Sequence, residues 1–210
     1  LSMTALLAGN LFGRGIVRPG GVGFDADPPR RDELLGRLER AERDLTVAVG
    51  LLWDTPSVRA RFEDTGILTR EDCMALGIVG PAARASGLVR DARREFPSGI
   101  YRVSQIPAST AQSGDVLARA LVRWLEAQRS LTFLREGVRA LPEGPLRAQV
   151  GRLAPESLAV AVTEGWRGEI WHVALTDAAG RFARYKVVDP SFHNWMGLAV
   201  AMRGGAISDF

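Results

Sequence analysis

Two long stretches of this chain carry apolar side chains at helical spacing, and they constrain the fold more than any other feature. After Pro28-Pro29 the positions Leu34, Leu38, Ala41, Leu45, Ala48 and Leu52 fall on one face, with Glu33/Arg37 and Glu39/Arg43 one turn apart on the polar side. The second stripe, Val116, Leu117, Ala120, Leu121, Trp124, Leu131, Leu134 and Val138, follows Ser113 as an expected cap and ends at Pro142-Glu143-Gly144-Pro145. Two such helices can bury each other, so a mainly helical core is expected.

Between them the chain is broken more often. Thr55-Pro56 predicts a short helix ended by Gly66, and Thr69 with Asp72 predicts a capping box opening another that stops at Gly77. From Gly80 to Pro107 no period holds, which predicts a long structured loop rich in arginine. The character changes after Pro155: Leu158–Thr163, Glu169–Thr176 and Phe182–Val188 are rich in Val, Trp, Tyr and Phe. The last two flank Asp177-Ala178-Ala179-Gly180 and predict a hairpin with another strand beside it. A final helix over 191–203, apolar on most sides, is expected to be buried. The whole is α+β, mainly α, read as a single domain over 1–210 with a helical part to 145, a β-hairpin lobe over 155–190 and the closing helix.

Charge and cysteine usage exclude several functions. The 27 Lys and Arg are interspersed with 24 Asp and Glu, so no basic block marks a nucleic-acid face. One cysteine, Cys73, permits neither an internal disulfide nor paired-cysteine metal spacings, and the two histidines add no zinc pattern, so no metal site is expected in this chain. No apolar run is long enough to span a bilayer. The chain opens directly into an apolar segment and closes on Ile207-Ser208-Asp209-Phe210, which reads as a piece of something larger.

The most specific string is Glu164-Gly165-Trp166-Arg167-Gly168-Glu169-Ile170-Trp171-His172. Its glycines allow a tight turn, and Arg167 between them is a planar cation suited to a carboxylate or oxyanion, with Glu164 or Glu169 at hand to pair with it. An ordinary loop arginine entering a hairpin is the alternative. His172 shares a strand face with Ile170 and Ala174, so it is either a hydrogen-bonded core residue or a proton-handling one. His193 falls in the first turn of the last helix, in a capping region or facing a partner. Arg84, Asp91 and Arg93 lie in the mixed-charge loop and are expected to be solvated or partner-facing.

These strings resemble the large subunit shared by respiratory complex I and the NiFe hydrogenases. Arg18-Pro19-Gly20-Gly21-Val22 is similar to the family's Pro-Gly-Gly-Val, Ala83-Arg84-Ala85-Ser86-Gly87 with Asp91-Ala92-Arg93 to its Leu-Arg-Ala-Ser-Gly and Asp-Val-Arg, and Gly114-Asp115-Val116, with Arg119 and Leu121-Val122-Arg123 beyond it, to its Gly-Asp-Val helix start. Glu164, Arg167, Gly168 and His172 stand where hydrogenases have Glu-Ala-Pro-Arg-Gly and a following His. Arg167-Gly168-Glu169-Ile170, Arg184-Tyr185-Lys186-Val187 and Pro190-Ser191-Phe192 resemble the complex I pattern.

The resemblance implies a hydrogenase-large-subunit-like fold and the C-terminal part of an oxidoreductase subunit linked to NADH or hydrogen on one side and quinone on the other. It implies a small iron–sulfur subunit and membrane subunits as partners, and a place on the cytoplasmic side, peripheral to the inner membrane. Glu164, Arg167 and His172 become the expected chamber-lining side chains. Hydrogenases hold nickel and iron through two cysteine pairs, and Cys73 matches neither. The parent's cofactors, a NiFe centre or a quinone beside an iron–sulfur cluster, are therefore expected outside this chain, which alone should be inactive and can self-associate. The alternative is a noncatalytic assembly module of the same fold.

Overall fold

A computed structural model describes residues 2–206. The chain divides into two compact units, 1–48 with 130–152, and 49–129 with 153–210. Both long helices contribute residues to both units.

In the first unit α1 (Ser2–Ala8), most of α2 (Pro28–Asp54) and the end of α7 (Val116–Arg139) pack together. Its centre is Leu34, Leu38, Leu131 and Val138, with Met3, Leu6, Leu7 and Leu35 against them. Burying a leucine such as Leu38 removes enough apolar surface from water to favour folding by ~1.5–3 kcal/mol. A two-residue ribbon, β1 (Val17–Arg18) and β2 (Gly21–Val22), docks on the strand-like segment at Leu146–Ala148. Gly20 has φ +84 there, and a Cβ at that place would sit 2.3 Å from the Ala148 carbonyl, so the Pro-Gly-Gly turn admits nothing larger.

The second unit holds the rest. Here α3 is Pro56–Phe62 and α4 is Arg70–Leu76; α4 opens with the expected box, in which the Thr69 side chain accepts from the Asp72 amide and the Asp72 side chain from the Thr69 amide. Gly77, at φ 66, closes it in the left-handed conformation. Thr55 precedes α3 but does not cap it; its hydroxyl donates instead to the Leu51 carbonyl. The segment expected as a loop contains α5 (Gly80–Ala85), α6 (Ala92–Glu95) and a 3-10 turn at Gly99–Arg102. Helices of one or two turns are too short to print a period on the sequence. Likewise α7 begins later than Ser113 suggested: Asp115 accepts from the Ala118 amide at 2.7 Å, and Ser113 donates to Asp115.

The strands are β3 (Leu158–Gly165), β4 (Gly168–Thr176) and β5 (Phe182–Val188), antiparallel in the order β3-β4-β5. Glu164 lies opposite Glu169 and Gly165 opposite Gly168, which places Trp166-Arg167 at the tip of a two-residue turn. The core joins Leu68, Cys73, Ile78, Ala83 and Leu88, with a second patch at Ala85, Ala118 and Val122.

The last helix, α8 (Ser191–Ala201), overturns its expectation. Only Gly197 on it is buried, pressed against Ile78, while Phe192, Trp195, Met196 and Leu198 are half or more exposed. Leu45, Leu121 and Leu134 of the long stripes are open as well. Composition told that these faces are apolar, but being apolar does not supply a covering element.

Candidate functional site

Two arrangements of charge stand out in the second unit, and Arg84 is the centre of the first. It sits on α5 with no exposed surface, although the mixed-charge sequence around it suggested solvent or a partner. Its Nη1 donates to the Arg90 carbonyl at 2.6 Å and to Glu164 Oε1 at 2.9 Å, and its Nη2 donates to Glu126 Oε2 at 3.3 Å. Nε and Glu126 Oε1 lie 2.7 Å apart but are misaligned for a hydrogen bond, so that contact is ionic. Asp91 Oδ2 is 3.9 Å away.

The same carboxylates tie down the chain after α5. Asp91 caps α6, accepting from the Arg93 amide at 3.0 Å, and takes the Arg93 Nε at 2.9 Å. Glu164 Oε2 accepts from the Ala92 amide at 3.0 Å, linking β3 to α6. Asp91 and Arg93, expected to face a partner, thus face each other inside the molecule. Three carboxylates, Asp91, Glu126 and Glu164, meet two guanidiniums, Arg84 and Arg93. Burial pushes the Glu164 carboxyl above its ordinary range, ahead of the pull of Arg84. Burial also raises Asp91, but the hydrogen bonds and charge of Arg93 outweigh it and hold that carboxyl below its usual range.

Close approach of two loops fixes what lies beside this knot. Gly80 has φ +68, and a Cβ there would fall 2.3 Å from the Arg167 carbonyl; one on Gly168, at φ +136, would meet Val79 at 2.7 Å. Asn194 of α8 clamps the crossing, accepting from the Val79 amide and donating to the Arg167 carbonyl, both at 3.0 Å.

Arg167 therefore has a fixed backbone and an open side chain. Neither neighbouring glutamate pairs with it as expected, because Glu164 is taken by Arg84 and Glu169 faces Arg90 at 3.6 Å. Its Nη2 instead reaches Asp189 at 3.4 Å, on the exposed side.

The second arrangement is a cleft of about 280 Å³ between α7, α8 and the Arg167 turn. Its charged lining is Arg119, Arg123 and Arg167, and its apolar walls include Ile78, Trp195 and Leu198. Arg119 Nη1 donates to the Gly66 and Gly114 carbonyls at 2.9 and 2.7 Å, and Arg123 Nη1 to the Arg119 carbonyl at 3.2 Å. Desolvation lowers the pKa of both, and each also feels a like charge, Arg123 on Arg119 and Arg84 on Arg123.

The expected chamber residues are thus dispersed. Arg167 lines the cleft, Glu164 is sunk in the ionic knot, and His172 stands mid-sheet with Nδ1 2.8 Å from the Tyr185 hydroxyl. His193, half-buried, packs its ring edge-on to Phe192. No site role was read from sequence for Arg119, Arg123 or Glu126, although their spacing along α7 places them on one helical face around buried Val122. That was the available signal.

No three His, Cys, Asp or Glu side chains come together to hold a metal among the described residues. Cys73 is buried, and desolvation raises its thiol above the ordinary range, the reverse of what a thiolate ligand needs. A nickel–iron centre does not fit the side chains described.

The model of the respiratory-chain NADH dehydrogenase 49 kDa subunit family matches residues 1–157, and the chain belongs to that family. The carbon monoxide-induced hydrogenase of Rhodospirillum rubrum is 36% identical over 202 residues, 96% of this chain and 56% of that protein. An NADH-quinone oxidoreductase subunit from Solibacter usitatus is 33% identical over 151 residues, covering 71% of this chain and 41% of the relative. Its counterpart from Streptomyces avermitilis is 27% identical over 252 aligned positions, covering all of this chain and 57% of the relative. The chain thus spans about half the length of the curated relatives it matches.

Proposed function

We propose that the chain is part of the large subunit of a redox complex of the complex I or energy-converting hydrogenase type, passing electrons between NADH or hydrogen and quinone or an iron–sulfur partner. The observation that carries this reading is similarity along nearly the entire chain to a hydrogenase and to quinone oxidoreductase subunits together. In this reading a small iron–sulfur subunit and membrane subunits are the partners, and the complex lies on the cytoplasmic face of the membrane. No described helix is long and apolar enough to cross a bilayer, so attachment falls to those partners.

The NiFe centre, or the quinone with its neighbouring iron–sulfur cluster, belongs to parts of the complex outside this chain. What these residues contribute is one wall of the chamber: the Gly80/Gly168 crossing and Asn194 set the Arg167 backbone, and the Arg84 knot holds β3 against α6. Glu164 then acts as a brace rather than as a chemical group, and the isolated chain is not catalytic.

The test is Arg167→Lys in the assembled complex, assayed for NADH- and hydrogen-dependent quinone reduction. Turnover should fall with little change in melting temperature, since lysine keeps the charge but loses the planar fork. Full turnover with a lowered melting temperature makes Arg167 a structural brace and overturns its place at the chamber. A parent protein that purifies without any iron–sulfur partner overturns the wider reading.

A further inference from the structure

Of the three cations of the cleft, Arg167 alone has an ion-pair partner among the described residues, Asp189 on its outer side. Among the described residues neither Arg119 nor Arg123 has a carboxylate within ion-pair reach, and each uses only Nη1 for the backbone. Nε and Nη2 of both side chains remain for a ligand. The nearest acids are committed elsewhere: Asp115 accepts from Ser113, Ala118 and the Asp64 amide, and Glu126 is held by Arg84. Two partly desolvated guanidiniums one helical turn apart repel each other, and an anion between them would relieve both costs.

The rest of the lining says what kind of anion. Trp195 and Leu198 are 65% and 50% exposed, and with Ile78 they give the cleft an apolar wall beside its charged one. A phosphate dianion, strongly hydrated, would leave its remaining oxygens against that wall; a carboxylate on a hydrocarbon body matches both. We propose that this cleft binds an amphipathic monocarboxylate, its head held by Arg119 and Arg123 and its apolar body laid on Trp195 and Leu198. The inference does not depend on the redox reading, because it uses only the geometry of the cleft.

Octanoate is the probe, with octanol and acetate as its two halves. The unaltered chain is treated with phenylglyoxal, which modifies guanidinium groups, and each arginine is followed by peptide mass spectrometry. Octanoate should slow modification of Arg119 and Arg123 but not of open Arg181, at concentrations where octanol and acetate give no protection. In parallel, Arg123→Gln should weaken octanoate binding about tenfold or more, the loss expected for a charge-assisted hydrogen bond. Equal protection by octanol would mean an apolar surface only, equal protection by acetate an adventitious ion only, and no protection an empty idea; each overturns the proposal. Should Arg123→Gln fail to fold, the labelling result on the unaltered chain decides alone.

Discussion

Arg84 and Arg123 both feel the charge of Glu126, yet they stand in opposite electrostatic conditions. Around Arg84 the acids outnumber the bases, every approach is closed, and the side chain has no exposed surface. Along the cleft the bases have, among the described residues, no acid within ion-pair reach except Asp189 on the outer side of Arg167, and apolar surface lies open beside them. Satisfied buried charge fixes a fold; unsatisfied, accessible charge is what a ligand can use. The contrast yields predictions that differ in size and in sign.

The largest effect should come from Arg84→Met, which keeps most of the volume but leaves Asp91, Glu126 and Glu164 facing one another. Removing one partner from a buried ion pair costs roughly 3–5 kcal/mol, so urea unfolding should show a loss of that order. A loss under about 1 kcal/mol would mean that the knot is solvated in practice and that the contrast with the cleft is false.

Next comes Gly80→Ala. The left-handed backbone costs about 1–3 kcal/mol for a non-glycine residue. The added Cβ also meets the Arg167 carbonyl, which is backbone and cannot swing away. Stability should fall, and phenylglyoxal should reach Arg167 at a changed rate because the two loops have parted. A variant with unchanged melting and unchanged labelling would remove the crossing as the device that sets Arg167.

The two acids of the knot should respond to pH with opposite signs. Asp91 is held below its ordinary range, so its contribution is present above the unfolded value and is lost as pH falls through the lower folded one. Relative to Asp91→Asn, the native chain should lose stability on acidification. Glu164 is pushed above its ordinary range, so the folded state takes up that proton first. Relative to Glu164→Gln, the native chain should gain stability as pH falls through the raised folded value towards the unfolded one. Denaturant midpoints measured across the acidic range check both; slopes of the same sign would refute the division of labour within the knot.

How much of this was readable beforehand follows from distance along the chain. The capping box at Thr69/Asp72, its glycine stop and the hairpin around Asp177–Gly180 were legible because each is settled within a few residues. The family was legible because short strings occur in the same order from Arg18 to Phe192. The fate of Glu164 was not: its partner Arg84 is 80 positions away, and nothing local separates a glutamate that pairs with Arg167 from one that pairs across the fold. The exposed faces of α8 and of Leu45 and Leu134 were misread for a related reason, since an apolar stripe predicts that burial is favourable without saying what does the covering.

The smallest effect on stability belongs to Asp189, the acid that, among the described residues, pairs with a cleft arginine. Asp189 and Arg167 are both largely exposed, and exposed ion pairs contribute little after solvent screening and side-chain ordering. Asp189 is held below its ordinary range first by the Ser191 side chain and amide, and only then by Arg167, so the pair is not its main attachment. Asp189→Asn keeps a carbonyl oxygen for the Ser191 amide, and its thermal melt should move little. The informative readout is the ligand. Removing a negative charge 3.4 Å from Arg167 leaves the third guanidinium of the cleft without its only close acid among the described residues. Octanoate affinity should therefore rise by about two-fold, more at low ionic strength than at high, as expected for an interaction screened by salt. A fall in affinity would mean that Asp189 orients Arg167 for binding instead of competing with the ligand, and would place the carboxylate head at Arg167. An unchanged affinity at low salt would confine the head to Arg119 and Arg123, leaving Arg167 to the chamber chemistry alone.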